Sequence, residues 1–116
     1  MSTSKPSRSE HVEQREFVSW WRKNQPDIIM AIPNGGARNK ATAAKMKVEG
    51  QYRGAWDLFA PERALWIEMK VPGGRLSPAQ REFGERMEAA GYRCIVAWGC
   101  DDAIAKVDTL DTSGQD

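Results

Sequence analysis

The apolar positions of this chain follow two periods, and each change of period marks a new element. From Glu10 to about Asn24 the spacing is helical: at about 100° per residue, Glu10, Gln14, Phe17 and Trp21 fall within about 60° of one another. The apolar stripe of this helix therefore begins with an acid. Ser9 is placed to cap it and "NQPD" to end it. "DIIMAIPN" reads as a buried strand stopped by Pro33, and "NGGA" as a glycine-rich loop leading into a basic helix over about residues 38 to 49, with Gly50 as its stop. "AWDLFA" and "ALWIEMK" are short strands flanking "PER", the pattern of an antiparallel hairpin. In "LSPAQREFGERMEAAG" the helical period returns, with Ser77 as cap, Pro78 in the first turn, Gly91 as stop and Phe83, Met87 and Ala90 as the apolar face. "YRCIVAWG" is a continuous apolar strand, as in a sheet interior covered on both faces, and "DDAIAKVDTL" is a closing helix. The order α, β, α, β, β, α, β, α predicts an α/β sandwich whose mixed sheet has about four strands flanked by helices.

One strand breaks its own pattern. In "WIEMK" the extended chain puts Glu68 and Lys70 on one face and Ile67 and Met69 on the other. Strand interiors disfavour Glu and Lys, and burying either costs free energy unless it is paired or binds an ion. If the hairpin turn centres near Glu62, Asp57 lies almost opposite Ile67 and next to Glu68. Cross-strand neighbours sit roughly 5 Å apart at Cβ and diagonal ones about 7 Å, so two carboxylates converge on one spot. Oxygen donors suit a hard cation, Mg²⁺ or Mn²⁺, whereas the lone His11 and the separated cysteines argue against zinc. Such an ion polarises a phosphodiester and lowers the pKa of a bound water, and Lys70 beside it would orient that water or offset charge on the phosphorane.

The candidate site is thus Glu10, Asp57, Glu68, Lys70 and Gln80, each with an alternative. Glu68 and Lys70 could line an edge strand facing water, and Asp57 could cap the hairpin. Glu10 suits a first helical turn for the dipole alone, and Glu13, about 60° off the apolar stripe, is its rival. Gln80 lies within about 60° of Phe83 and so points toward the core side, but Ser77 and Gln80 also fit the capping box S-x-x-Q. These two uses of Gln80 are expected to exclude each other.

Composition narrows the setting. The 116 residues and 13.0 kDa allow one domain, expected over residues 10–108 between flexible tails at 1–9 and 109–116. Hydrophobic content of 41% with 28% charged residues is that of a soluble protein. No apolar run approaches the roughly 20 residues of a membrane span, and the N-terminus lacks the apolar centre of a signal peptide. Cys94 and Cys100 suit neither a paired metal site nor a disulfide framework, so a reducing cytoplasm is the simplest compartment. The net charge is +1, yet Asn34 to Gly54 carries five basic residues against Glu49, while Asp108, Asp111 and Asp116 make the end acidic. The basic stretch is either a phosphate footprint or a solvated helix face. Its candidate phosphate contacts are Asn34, Arg38, Lys40, Lys45 and Arg53, with Arg75 nearer the acids. Trp20, Trp21, Trp66 and Trp98 read as core or dimer contacts, with stacking on a base open to any that is exposed.

"GAWD", ten residues and then "EMK" resemble the D…(D/E)xK signature of the PD-(D/E)xK nuclease superfamily, whose restriction-endonuclease-like core fits the predicted order. More narrowly, "NGGAR", "KMKVEGQYRGAWDLF", "WIEMKVPGGRLSPAQREF" and "GYRCIVAW" resemble the VRR-NUC (virus-type replication-repair nuclease) domain in its stand-alone, phage-type form, from about Glu10 to Ile104. The resemblance implies that Asp57 and Glu68 are the principal metal ligands, helped by the backbone carbonyl of Met69 and by Glu10, the helical acid of an "E…Q" pattern that Gln14 completes. It makes Lys70 the motif lysine and puts Gln80, from "LSPxQ", on the site wall. Trp56 departs from the pattern, since the family usually has proline before the aspartate. The implied activity is a Mg²⁺- or Mn²⁺-dependent DNA endonuclease acting on branched DNA, as relatives resembling Holliday-junction resolvases do, in a bacterial host cytoplasm if phage-encoded. Paired cuts in a junction call for a symmetric homodimer. The alternative is a nucleic-acid-binding module that keeps the fold without cutting.

Overall fold

A computed structural model describes residues 9–33 and 40–113. The elements follow the predicted order: α1 (Glu10–Asn24), β1 (Met30–Ala31), α2 (Lys40–Val48), β2 (Leu58–Ala60), a 3₁₀ turn (Pro61–Arg63), β3 (Leu65–Lys70), α3 (Pro78–Ala89), β4 (Arg93–Trp98) and α4 (Cys100–Ser113). The strands form one mixed sheet in the order β1-β2-β3-β4, antiparallel except for the parallel β3–β4 pair. A parallel pair needs a crossover, and α3 supplies it.

Strand parity divides the molecule into layers. Leu65, Ile67 and Met69 face one way, into a core with Phe17 and Trp21 of α1, Ile95 and Ala97 of β4, and Ala103 and Val107 of α4. The opposite face packs Trp66, Cys94 and Val96 against Phe83 and Met87 of α3, with Trp56 beside them. Ser9 caps α1 by accepting the Val12 N–H at 3.1 Å.

Four expectations are corrected. "DIIMAIPN" is not a buried strand: Met30–Ala31 pair, both exposed on the outer edge of the sheet, and the Ile28 N–H goes to Glu62 Oε1 (2.8 Å), while Ile29 enters one core and Ile32, its N–H donated to the Asp57 carbonyl at 2.8 Å, packs partly buried on the other. β4 is the opposite edge rather than the interior, and its apolar run reflects cover by α4 and α3 on its two faces. The hairpin register is one residue further on than expected, with Leu58 opposite Ile67. Ala64 closes the 3₁₀ turn in the left-handed region (φ 51°), adding a residue that a simple turn lacks and bringing Asp57 level with Glu68. Finally, α4 starts one residue before the expected "DDAIAKVDTL" and runs past Leu110 to Ser113, with Leu110 on the core and Asp111 paired with Arg63 at 2.9 Å.

Candidate active site

Where β2 ends, side chains take over the ladder. The Asp57 N–H donates to Glu68 Oε1 at 3.1 Å, and the Met69 N–H donates to Asp57 Oδ2 at 3.0 Å, so each carboxylate holds the other strand's backbone. In an extended strand the N–H and C=O of one residue leave on the same edge, so the Met69 carbonyl also faces the Asp57 side. Glu68 is 1% exposed and Lys70 9%, which removes the reading of a charged face in water. Lys70 Nζ lies 3.4 Å from Glu68 Oε2.

Gln80 joins the group from α3. Its Nε2 donates to Glu68 Oε2 at 2.8 Å, and its Oε1 accepts from Lys70 Nζ at 2.9 Å. The same Oε1 accepts the Ser77 N–H at 2.9 Å, while Ser77 Oγ accepts the Gln80 N–H at 3.1 Å. The capping box and the contact with the acids therefore coexist, against the expectation that they exclude each other. A carbonyl oxygen has two lone pairs, and the box uses one of them.

The turn before Asp57 is fixed to the same helix. Trp56 is buried and donates from Nε1 to the Gln80 carbonyl at 2.8 Å. Its ring lies so close to Gly84 that a Cβ there would meet it at 2.5 Å. Gly54 (φ 91°) presses on the backbone of α3, where a Cβ would meet the Ala79 oxygen at 2.5 Å. Tryptophan in place of the expected proline thus holds the aspartate's turn through side-chain packing.

Electrostatics sharpen the picture. Burial, followed by the charge of Asp57, pushes the Glu68 carboxyl up to about 8, and burial also raises Asp57 against the lowering effects of the Met69 N–H and Lys70. Glu10 is half-buried and raised too, by burial and then by Asp57. It lies within electrostatic range of Asp57 and Lys70, whereas Glu13 accepts the Cys100 N–H at 2.7 Å at the start of α4. Among the described residues, no three His, Cys, Asp or Glu side chains gather closely enough to hold a metal ion. Glu10 therefore stands near the pair without completing a triad. Two carboxylates and a backbone carbonyl, all oxygen donors in excess negative charge, fit a hard divalent cation that keeps several of its waters.

The family model for the VRR-NUC domain matches residues 4–101. The chain belongs to the VRR-NUC family. A solved structure described as a VRR_NUC domain protein superimposes with a TM-score of 0.74 at 26% identity, covering 89% of this chain and 88% of that one. A comparison with curated proteins returns no match. The VRR-NUC assignment carries a nuclease-type function with DNA as substrate, in a family that typically uses divalent metals, and no helix of the described residues is long and apolar enough to cross a membrane.

The expected phosphate contacts of this VRR-NUC domain divide. Asn34 and Arg38 lie outside the described residues, as does the side chain of Lys40. Lys45, Arg53 and Arg75 are exposed. Arg53 lines a cleft of about 600 Å³ with Lys47, Tyr52 and Gly54 on one side and Ala79 and Glu82 of α3 on the other. Tyr52, 50% exposed on the cleft wall, escaped the sequence reading although "QYRG" puts an aromatic beside a cation. Of the tryptophans, Trp21 and Trp56 are buried, while Trp98 is exposed and held by Gly74 and Lys106.

Proposed function

We propose that this chain is a divalent-metal-dependent DNA endonuclease that hydrolyses phosphodiester bonds in branched DNA, working as a homodimer in a reducing cytoplasm. The observation that carries the reading is the hydrogen-bonded gathering of Asp57, Glu68, Lys70 and Gln80, with Glu68 buried and Asp57 half-buried, linked to one another within 2.8–3.4 Å. Asp57, Glu68 and the Met69 carbonyl would hold Mg²⁺ or Mn²⁺, which when bound supplies Lewis-acid polarisation of the phosphate and an activated water. Lys70 offsets charge developing on the phosphate oxygens and, through its contact with Gln80, keeps a fixed direction. Gln80 holds Glu68 and Lys70 apart at a set spacing. Glu10 adds a negative boundary on the α1 side. Two subunits, each with one such face, supply the paired cuts that a four-way junction requires.

The test is nicking of a labelled four-way junction and of matched duplex with Mg²⁺, Mn²⁺ or EDTA, for the parent chain and for Asp57→Ala and Glu68→Ala. Metal-dependent cutting of the junction in preference to duplex, abolished in both variants, supports the enzyme. Binding without cutting under any metal would make the chain a non-cleaving binding module. Equal cutting of duplex and junction would remove the branched-DNA part of the reading.

A further inference from the structure

We propose that the outer face of α1 is a second contact for the substrate, a track that grips the phosphate backbone of one nucleic-acid strand leading away from the acid pair. The proposal rests on the nuclease reading and adds a surface distinct from the basic stretch around residues 34–54.

The face is built by segregation of charge. At about 100° per residue, His11, Arg15 and Arg22 fall within about 40° of one another and Lys23 lies at one side, while Glu10, Glu13 and Glu16 all fall on the remaining arc. Arg15, Arg22 and Lys23 are exposed, and none forms an ion pair among the described residues. With Val18 and Ser19 of α1 and Ala31 of the edge strand β1 they line a groove of about 450 Å³. The neutral hydroxyl is the usual companion of cations at a phosphate.

Position gives the track its direction. α1 starts at Glu10, whose carboxyl lies within electrostatic range of Asp57 and Lys70, and from His11 to Lys23 the helix advances roughly 18 Å. That length matches the axial rise of about five nucleotides of one strand at about 3.4 Å each. Of the bulky apolar residues of α1, Phe17 and Trp21 are fully buried, and Trp20 is partly buried against the same core. The face therefore offers cations without the exposed large hydrophobics with which a helix enters a lipid surface.

The experiment is anisotropy titration of a fluorescent four-way junction in EDTA across a NaCl series. It compares the parent chain, the triple variant Arg15→Gln/Arg22→Gln/Lys23→Gln, and a charge-matched control, Arg81→Gln/Arg86→Gln/Arg93→Gln, on exposed positions of α3 and β4. Each phosphate contact adds about 0.9 to the slope of log K against log[salt], so the α1 triple is expected to flatten the slope by about 2 to 3 and weaken binding at least tenfold at 100 mM NaCl. The control is expected to leave the slope within about 0.5 of the parent. An unchanged slope in the α1 triple, or equal flattening in both triples, overturns the track while leaving the nuclease reading intact. So does loss of phosphatidylserine-vesicle binding in the α1 triple with its DNA slope unaltered. A parent chain that binds no DNA overturns both readings.

Discussion

Strand β3 meets charge at both ends, and the two ends treat it in opposite ways. Just before its start, Arg63 lies over the Trp21 ring at 4.5 Å, donates to Asp27 at 2.7 and 2.9 Å and to Asp111 at 2.9 Å, and also reaches Gln25. Asp27 is the main cause of a guanidinium pKa raised above its ordinary value, so this end stabilises the ions it contains. At the other end, burial and Asp57 push Glu68 up to about 8. The first end ties α1, the hairpin and α4 together, and the second stores unfavourable charge where chemistry is proposed. Stability and the proposed chemistry thus lie at separate ends of one strand.

Glu68→Gln should break this contrast most sharply. Cleavage of the junction is expected to fall by at least about 10³-fold, the scale of losing an essential electrostatic group, while the metal-free protein gains about 1–2 kcal/mol by urea unfolding at pH 8. Loss of stability in that variant would mean the site is not strained. At the opposite end, Arg63→Met should remove about 3 kcal/mol of stability, because Asp27 is left without its partner, yet leave the cleavage rate per folded molecule within about threefold. A rate collapse at full folding would couple the two ends.

The third expectation concerns pH. A carboxyl whose folded pKa lies above its unfolded one binds its proton more tightly in the native state, so its stabilising contribution is present at low pH and is lost as pH rises through about 8. Metal-free protein should therefore lose about 1–2 kcal/mol between pH 6 and pH 9, and Glu68→Gln should flatten that profile. A parent profile that is flat or rises over the same window would contradict the assigned shift. The smallest effect is at the turn between the ends. Ala64→Gly relieves a left-handed alanine and should raise stability by about 0.5 kcal/mol, read as a small increase in Tm.

What the sequence revealed, and what it hid, follows from the range of the interactions. Helix α1 with its Ser9 cap, α3 with Ser77 and Pro78, and the Glu68/Lys70 face were legible because each is set by residues within four positions of one another. The register was missed by one because it depends on a single backbone conformation at Ala64, which alanine does not advertise. The edge position of β1 was hidden for a different reason: Ile28, Ile29 and Met30 are apolar whether or not a neighbouring strand arrives. Trp56 looked like a substitution for proline, and only the approach of Gly84, distant in sequence, gives it a purpose. The role of Gln80 was half legible, since the capping box is local whereas Lys70 and Glu68 meet it only in three dimensions.

Gln80 has a consequence for how the molecule breathes. The opening of one helical turn and the scattering of the acid–lysine cluster are bound into a single fluctuation, since the same amide closes both. Hydrogen–deuterium exchange at the Ser77 N–H, which the Gln80 side chain accepts at 2.9 Å, would then report the opening of the cluster, running without any substrate present.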